Sequence, residues 1–325
     1  MQYKNVIKFI SFLIGLLILL NVSSYLFAPK NKAEEGTYKR VKGFLSEPKN
    51  TLDYLAFGDS ECKSSISPME IWKEYGYAGY NCGVSAQHLR DTYYLLEELL
   101  KNQSPKVVLL ETNSFARNFS LYNEFLNITD RITKKFFPVF EYHNRWKNLS
   151  GYKMKNTNSK GNSSSIMFKG LQYSTTAKPY TKGNYIKRTE KVREIKEIPM
   201  FYLNEIVNLC NKKDIKLILY CAPSPLCWSY QKHNATADFA IKNELPFIDL
   251  NLLNDDLGID WSRDTRDKGD HLNYYGAKKV TSYIGAYLSA HTNLKDHRKE
   301  KSYVLWNKAL EEYLKLTKQS KGGIQ

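Results

Sequence analysis

The sequence predicts an α/β fold, with a central parallel sheet covered by helices, one N-terminal transmembrane helix, and an insertion after the third strand. Three observations lead there. Short, mostly apolar runs recur near residues 52–57, 105–113, 216–225 and 245–251, and strands buried on both faces read this way, without alternation. Helical patterns lie between those runs, the order expected of a parallel sheet covered on both sides. Ahead of them, residues 9–28 read FISFLIGLLILLNVSSYLFA and carry no charge. About 20 apolar residues suffice to cross the hydrocarbon core of a bilayer.

Taken in order, residues 1–8 form a short N-terminal segment with Lys4 and Lys8. The apolar run that follows is longer than the core of a signal peptide and has no small-x-small cleavage pattern before Pro29, so it is expected to stay as an anchor. Residues 29–50 are polar and charged and read as a juxtamembrane linker. The first strand falls at 52–57 and a short second one at 80–83. Leu89, Tyr93, Leu96 and Leu100 recur at helical spacing and predict an amphipathic helix over 86–101. The run PKVVLLETN, opened by Pro105, predicts a buried third strand.

Residues 114–195 break the rhythm. Their first part is aromatic and charged, and from 147 to 184 the composition shifts to Asn, Ser, Lys and Gly. This is an insertion with a loop-rich middle, either a lid or partner surface or a solvated excursion. A helical pattern at 199–212 and two further strands resume the alternation. Val280, Ile284 and Leu288 mark a last helix and close a domain spanning 51–290. The tail, 291–325, is mostly charged, but Tyr303, Trp306, Leu310 and Leu314 fall at helical spacing and predict a short surface helix, docked either on the domain or on a partner.

A chain of 325 residues with 42% hydrophobic residues can build one large α/β domain. The net charge of +15 suits an anionic partner. Lys and Arg are scattered, with no zinc-finger spacing and no arginine-rich helix, so no nucleic-acid partner is expected. The five cysteines (Cys62, Cys82, Cys210, Cys221 and Cys227) include no Cys-x-x-Cys pair, which argues against a zinc site or a disulfide framework. Cys221 and Cys227 either pair around a turn or stay as small buried apolar residues. No metal or cofactor is expected.

Chemistry concentrates at predicted strand ends, where parallel sheets gather functional groups. Gly58-Asp59-Ser60-Glu61 follows the first strand, Asn81-Cys82-Gly83 the second, and Glu111-Thr112-Asn113 the third. DTRDKGDHLNYYGAKKV, residues 264–280, precedes the last helix. The first cluster reads either as a turn with a helix cap or as a nucleophile. A serine hydroxyl needs a base, a histidine base needs a carboxylate, and a tetrahedral intermediate needs donors for its oxyanion. Ser60, His271, Asp267 or Asp270, and donors near Gly83 and Asn113 would supply all of these.

FGDS after the first strand, Gly after the second, Asn after the third and an Asp/His pair before the last helix resemble the SGNH, or GDSL-like, hydrolase superfamily. The match runs in order over roughly 52–290. The resemblance implies a three-layer flavodoxin-like domain. In it Ser60 would be the nucleophile, and the amides of Ser60 and Gly83 with the Asn113 side chain would form the oxyanion hole. His271 would be the base. The superfamily places its acid three residues before the histidine, where this chain has Lys268. Asp267 is favoured, given one extra loop residue, with Asp270 as the alternative and Asp264 further out. The third block, usually Gly-x-Asn-Asp, reads Glu-Thr-Asn-Ser here.

More narrowly, the stretch from Gly58 to Gln87 together with DHLNYYGAKKVTSYIGAYL looks like membrane-anchored SGNH-like proteins of Gram-positive bacteria. These are similar to the accessory proteins of teichoic-acid D-alanylation and of alginate or cellulose O-acetylation. The resemblance implies an extracytoplasmic serine acyltransferase or esterase acting on acetyl or D-alanyl groups. Its partners would be a cell-surface glycopolymer or acylated carrier and a membrane-bound O-acyltransferase, with residues 9–28 in the bilayer. Lys30, Lys32, Lys39, Arg40 and Lys42 follow the span, which is against the positive-inside rule for an N-in anchor. N-in is still expected, because long C-terminal domains translocate largely regardless of charge. A degenerate scaffold without chemistry is the alternative.

Overall fold

The computed structural model describes residues 2–27, 41, 43–117, 121–142 and 167–319. The chain forms two compact units, one of Met1–Lys39 with Phe119–Ser159, the other of Arg40–Asn118 with Lys160–Gln325.

The larger unit is built on five parallel strands: β1 (Tyr54–Phe57), β2 (Gly79–Asn81), β3 (Val107–Glu111), β4 (Lys216–Cys221) and β5 (Phe247–Asp249). Their order is β2-β1-β3-β4-β5. This is the flavodoxin-like order, whose switch point lies between β1 and β3. Leu55 pairs with Tyr80 on one side and Val108 on the other, and Val108 pairs with Leu217. Every residue of β1, β2 and β3 is buried. That is why these strands read as continuous apolar runs: both faces are covered.

One face carries Tyr54, Ala56, Val107, Leu109, Ile218 and Tyr220, which share a cluster with Val280, Ile284 and Leu288. Those three belong to helix α10 (Tyr274–His291), which packs with α2 (Ser60–Ser65) and α3 (Pro68–Tyr75). The alternate residues, such as Leu55, Val108 and Leu219, point to the opposite face and are also buried. There α4 (Leu89–Leu99) packs against α7 (Glu197–Lys212). Helix α8 (Tyr230–Lys242) precedes β5, and the short α9 (Asn254–Leu257) follows it. All five cysteines are free, so Cys221 and Cys227 do not pair.

The structure decides two stretches that the sequence left open. The first is the last part of the insertion. Residues 167–195 are irregular, as expected, but they are tied down and are not a solvated excursion. Lys169 O accepts from Asn81 N at 2.9 Å, which caps the edge strand β2. Gln172 N donates to Lys63 O at 2.8 Å and Arg193 N to Gln231 O at 2.9 Å. The most loop-rich part, 143–166, lies outside the described residues, as does all of 29–40.

The second is the tail. Helix α11 (Val304–Gln319) is docked on the domain. Trp306 lies 5.0 Å from Trp72 between ring centroids, and Tyr313 donates to Glu70 Oε1 at 2.8 Å. Its Trp306 Nε1 also donates to Glu47 Oε2 at 3.0 Å, and Glu47 pairs with Lys169 Nζ at 2.6 Å. Glu47 and Phe44 are buried, so the end of the stretch read as a linker packs as part of this unit.

The smaller unit holds α1 (Gln2–Phe27), α5 (Leu121–Phe136) and α6 (Val139–Tyr142). The segment Tyr3–Phe27 is long and apolar enough to cross a membrane, and its apolar window is not buried in protein. Val139 N donates to Ser24 Oγ at 3.3 Å, which ties α6 to the C-terminal end of α1.

Candidate active site

The turn after β1 answers the ambiguity in its sequence. Asp59 is the cap of α2: its Oδ1 accepts from Glu61 N at 2.9 Å. Ser60 is the first helical residue. Its hydroxyl and its amide have no hydrogen-bond partner among the described residues, the amide because a first-turn N–H has no intrahelical acceptor. So the aspartate does the capping and leaves the serine half-exposed at the helix N-terminus. Gly58 makes the turn possible. It sits at φ +152°, and a Cβ there would come within 2.6 Å of Glu111 Cβ and 2.8 Å of Cys62 Cβ.

The histidine loop is equally determined. Lys268 and Gly269 both have positive φ, 67° and 92°. Thr265 pairs with Leu272 as an antiparallel bridge, and Thr265 Oγ1 donates to His271 O at 2.9 Å. This tight turn absorbs the added loop residue and brings Asp267 back onto the histidine. Asp267 Oδ1 accepts from His271 N at 2.6 Å, and Asp267 Oδ2 lies 2.7 Å from His271 Nδ1. Asp270 is the looser neighbour, 3.4 Å from Nδ1. Asp264 is buried elsewhere, paired with Lys279 at 2.5 Å. His271 Nε2 makes no hydrogen bond among the described residues, and none joins it to Ser60.

The expected oxyanion donors are engaged within the protein. Gly83 N donates to Asn81 Oδ1 at 3.0 Å. Asn81 Nδ2 in turn holds Cys62 O at 2.8 Å and Ile66 O at 2.9 Å, so it staples the end of β2 to α2. A Cβ on Gly83 would meet Lys63 N at 2.6 Å, so only glycine fits that close approach. Asn113 Nδ2 donates to Asp59 Oδ2 at 2.9 Å, and Lys232 Nζ donates to Asn113 Oδ1 at 3.2 Å. The Ser60 amide is the donor still unengaged.

Several polar residues of the site were not singled out from the sequence. Arg117 grips Asp59 Oδ2 through Nε at 3.0 Å and Nη2 at 2.6 Å. Glu111 is fully buried; its Oε2 accepts from Asn113 N at 3.0 Å, and burial, then the Asp59 charge, hold its carboxyl well above the usual range. Glu61 is 1% exposed, and neither carboxyl oxygen has a hydrogen-bond partner among the described residues. Burial, with Asp59, Glu111 and Asp270 nearby, pushes its carboxyl well above the usual range. The nearby Cys227 thiol is committed to Asp270 Oδ1 at 3.0 Å. Glu61 was visible beside Ser60. Cys227, Arg117 and Lys232 come from separate elements, and no local spacing announces them.

Glu61, Cys227 and Asp270 offer ligand atoms within 4.8 Å of one another and could hold a cation, as could Asp267, Asp270 and His271. Glu61, Asn113, Cys227 and Lys232 also border a pocket of about 20 Å³, room for a water molecule. His233 lines it too and sits 2.7 Å from Asp249 Oδ2.

No family model matches the chain, and no curated protein matches it in sequence. Among solved structures, a Bacteroides fragilis protein assigned as an acylhydrolase is similar at 17% identity and a TM-score of 0.41, covering 81% of this chain and 99% of that one. A GDSL-like lipase from Bacteroides thetaiotaomicron is similar at 13% identity and a TM-score of 0.38, over 73% of this chain and 88% of that one. An acetyl xylan esterase gives 16% identity and a TM-score of 0.36, over 72% and 99%. Likeness at this level carries no argument about activity, and the fold stands on the sheet order itself.

Proposed function

We propose that the chain is a membrane-anchored, extracytoplasmic serine esterase or O-acyltransferase. Its substrate would be an acetyl or D-alanyl ester of a cell-surface glycopolymer or of an acylated carrier. It would work beside a membrane-bound O-acyltransferase. The observation that carries the reading is the His271–Asp267 pair, held through both carboxylate oxygens at 2.6 and 2.7 Å. This fixes the imidazole with Nε2 unengaged, at the carboxyl edge of the sheet where Ser60 also sits. The anchor-like α1 and the net charge of +15 suit an anionic cell surface.

In this reading Ser60 Oγ attacks the acyl carbonyl and its proton passes to His271 Nε2. Asp267 holds Nδ1–H and balances the imidazolium. The oxyanion is met by the Ser60 amide, with Asn113 or Gly83 contributing once substrate draws their donors inward. Collapse expels the first alcohol, which takes the proton from Nε2 and leaves acyl-Ser60. A polymer hydroxyl or water then gives its proton to Nε2, attacks the acyl carbon and regenerates Ser60.

A second reading has its own support. The donors of Gly83 and Asn113 are already spent on Asn81 and Asp59, and Ser60 is not bonded to His271. A scaffold that binds polymer and acyltransferase without chemistry would tolerate that. Treating the full chain with a fluorophosphonate and mapping the adduct by mass spectrometry separates the two. The enzyme reading expects one adduct on Ser60, absent from Ser60→Ala and His271→Ala. A folded protein that takes no adduct favours the scaffold.

A further inference from the structure

Helix α5 carries an amphipathic pattern. At 100° per residue, Tyr122, Phe125, Leu126, Ile128, Ile132 and Phe136 fall within one arc of about 160°. By sequence, Asn123, Glu124, Asn127, Asp130, Arg131, Lys134 and Lys135 all fall on the other side. A surface helix of a soluble domain turns such an arc to the core. Here it faces outward: Tyr122 is 69% exposed, Phe125 65%, Ile132 52% and Phe136 69%. On the polar side Lys134 pairs with Asp130 at 2.6 Å.

The surroundings say what covers that arc. Phe137 and Pro138 lead directly into α6, and Val139 N donates to Ser24 Oγ. Ser24 lies in the last turn of α1. A 26-residue helix is about 39 Å long, longer than a ~30 Å hydrocarbon core, so that turn sits at the level of the headgroups. Helix α5 is therefore held beside a membrane surface with an unpartnered apolar face. By sequence, the polar arc holds Arg131, Lys134 and Lys135 against Glu124 and Asp130, a basic balance suited to anionic headgroups.

We infer that α5 is an interfacial helix. It lies in the surface of the bilayer that α1 crosses, with its apolar arc in the headgroup–acyl boundary. This rests on the membrane-anchor reading and is independent of any chemistry at Ser60. The first part of the insertion thereby becomes a second attachment to the same membrane.

The test uses the full chain reconstituted in phosphatidylcholine–phosphatidylglycerol vesicles. A fluorophore is placed at Ile14→Cys, Ile132→Cys or Lys134→Cys, in a Cys221→Ser, Cys227→Ser background that leaves only buried cysteines. Expected are loss of fluorescence with acyl-brominated lipid at positions 14 and 132, and loss with aqueous iodide at position 134. Quenching by lipid at 14 but by iodide at 132 overturns the inference and keeps the anchor. Protection of position 132 from both quenchers means that protein covers the arc, and also overturns it. Absence of lipid quenching at 14 removes the anchor and the inference together.

Discussion

The two units of this chain use apolar side chains in opposite ways. In the α/β unit Leu109, Ile218 and Ile284 are sealed between sheet and helix. In the helical unit Ile14, Phe125 and Ile132 point away from protein. The same residue types appear in both, so composition does not separate them. The difference is the partner: the strands find each other and two helical layers, whereas most apolar side chains described on α1 and α5 are exposed. A buried apolar face stabilises a fold, and an unpartnered one specifies where the fold goes.

The sharpest way to break the comparison is to find chemistry outside the α/β unit. If turnover belongs to the strand-end site, His271→Ala lowers ester turnover or fluorophosphonate labelling by on the order of 10³-fold or more, and Asp267→Asn by a comparable factor. Asp270→Asn has a smaller effect, because its carboxylate is the looser neighbour of Nδ1. Equal losses at 267 and 270 would reject Asp267 as the orienting acid.

Next in size is the core. Leu109→Ala removes a fully buried side chain from the sheet and is expected to cost about 2–5 kcal/mol in urea unfolding. Phe125→Ala on the exposed arc of α5 is expected to stay within about 0.5 kcal/mol in detergent. A large loss at Phe125 would mean that α5 packs on protein.

A third prediction concerns pH. The Glu61 carboxyl is raised by burial first, then by Asp59, Glu111 and Asp270. A raised folded value means that Glu61 contributes stability fully below its unfolded pKa, about 4.3. That contribution is lost as pH rises through the folded value. Glu61→Gln therefore gains on the parent protein as pH rises. Urea midpoints of both proteins between pH 4.5 and 9 check it, and parallel curves would refute it.

The smallest effect is at the tail. Burial opposes the charge on His297, but its bonds to Glu300 and Asp53 outweigh that and raise its pKa. Its contribution is full below about pH 6.5 and fades as pH rises through the folded value. His297→Gln should loosen α11 toward protease more at pH 6 than at pH 9.

Much of the larger unit was legible, for a definite reason. Strands covered on both faces must be apolar throughout, so β1, β3 and β4 appear in the sequence as runs. Only their ends were overdrawn, because apolarity continues past the last ladder bond. The approach of Asp267 to His271 was open to sequence reasoning because both lie in one short loop. The role of Asp59 as cap, leaving Ser60 unengaged, was not, since both residue types cap helices equally well. The tail helix was legible from its stripe, but the choice between domain and partner was not, because its docking site on Trp72 lies more than 200 residues earlier in the chain.

The sequence by itself determined the order of strands and helices, the apolar N-terminal span and the residue types at the strand ends. Each follows from local patterns of hydrophobicity and turn chemistry. Tertiary structure alone decided what those polar residues touch. Gly83 and Asn113 spend their donors on Asn81 and Asp59, and Glu61 is buried against Cys227 and Asp270. The final partition of the insertion, a strap on the domain and a helix beside α1, was decided there too. Such contacts join residues far apart in the chain, and hydrogen-bond partners and burial depend on distances that no spacing in a sequence encodes.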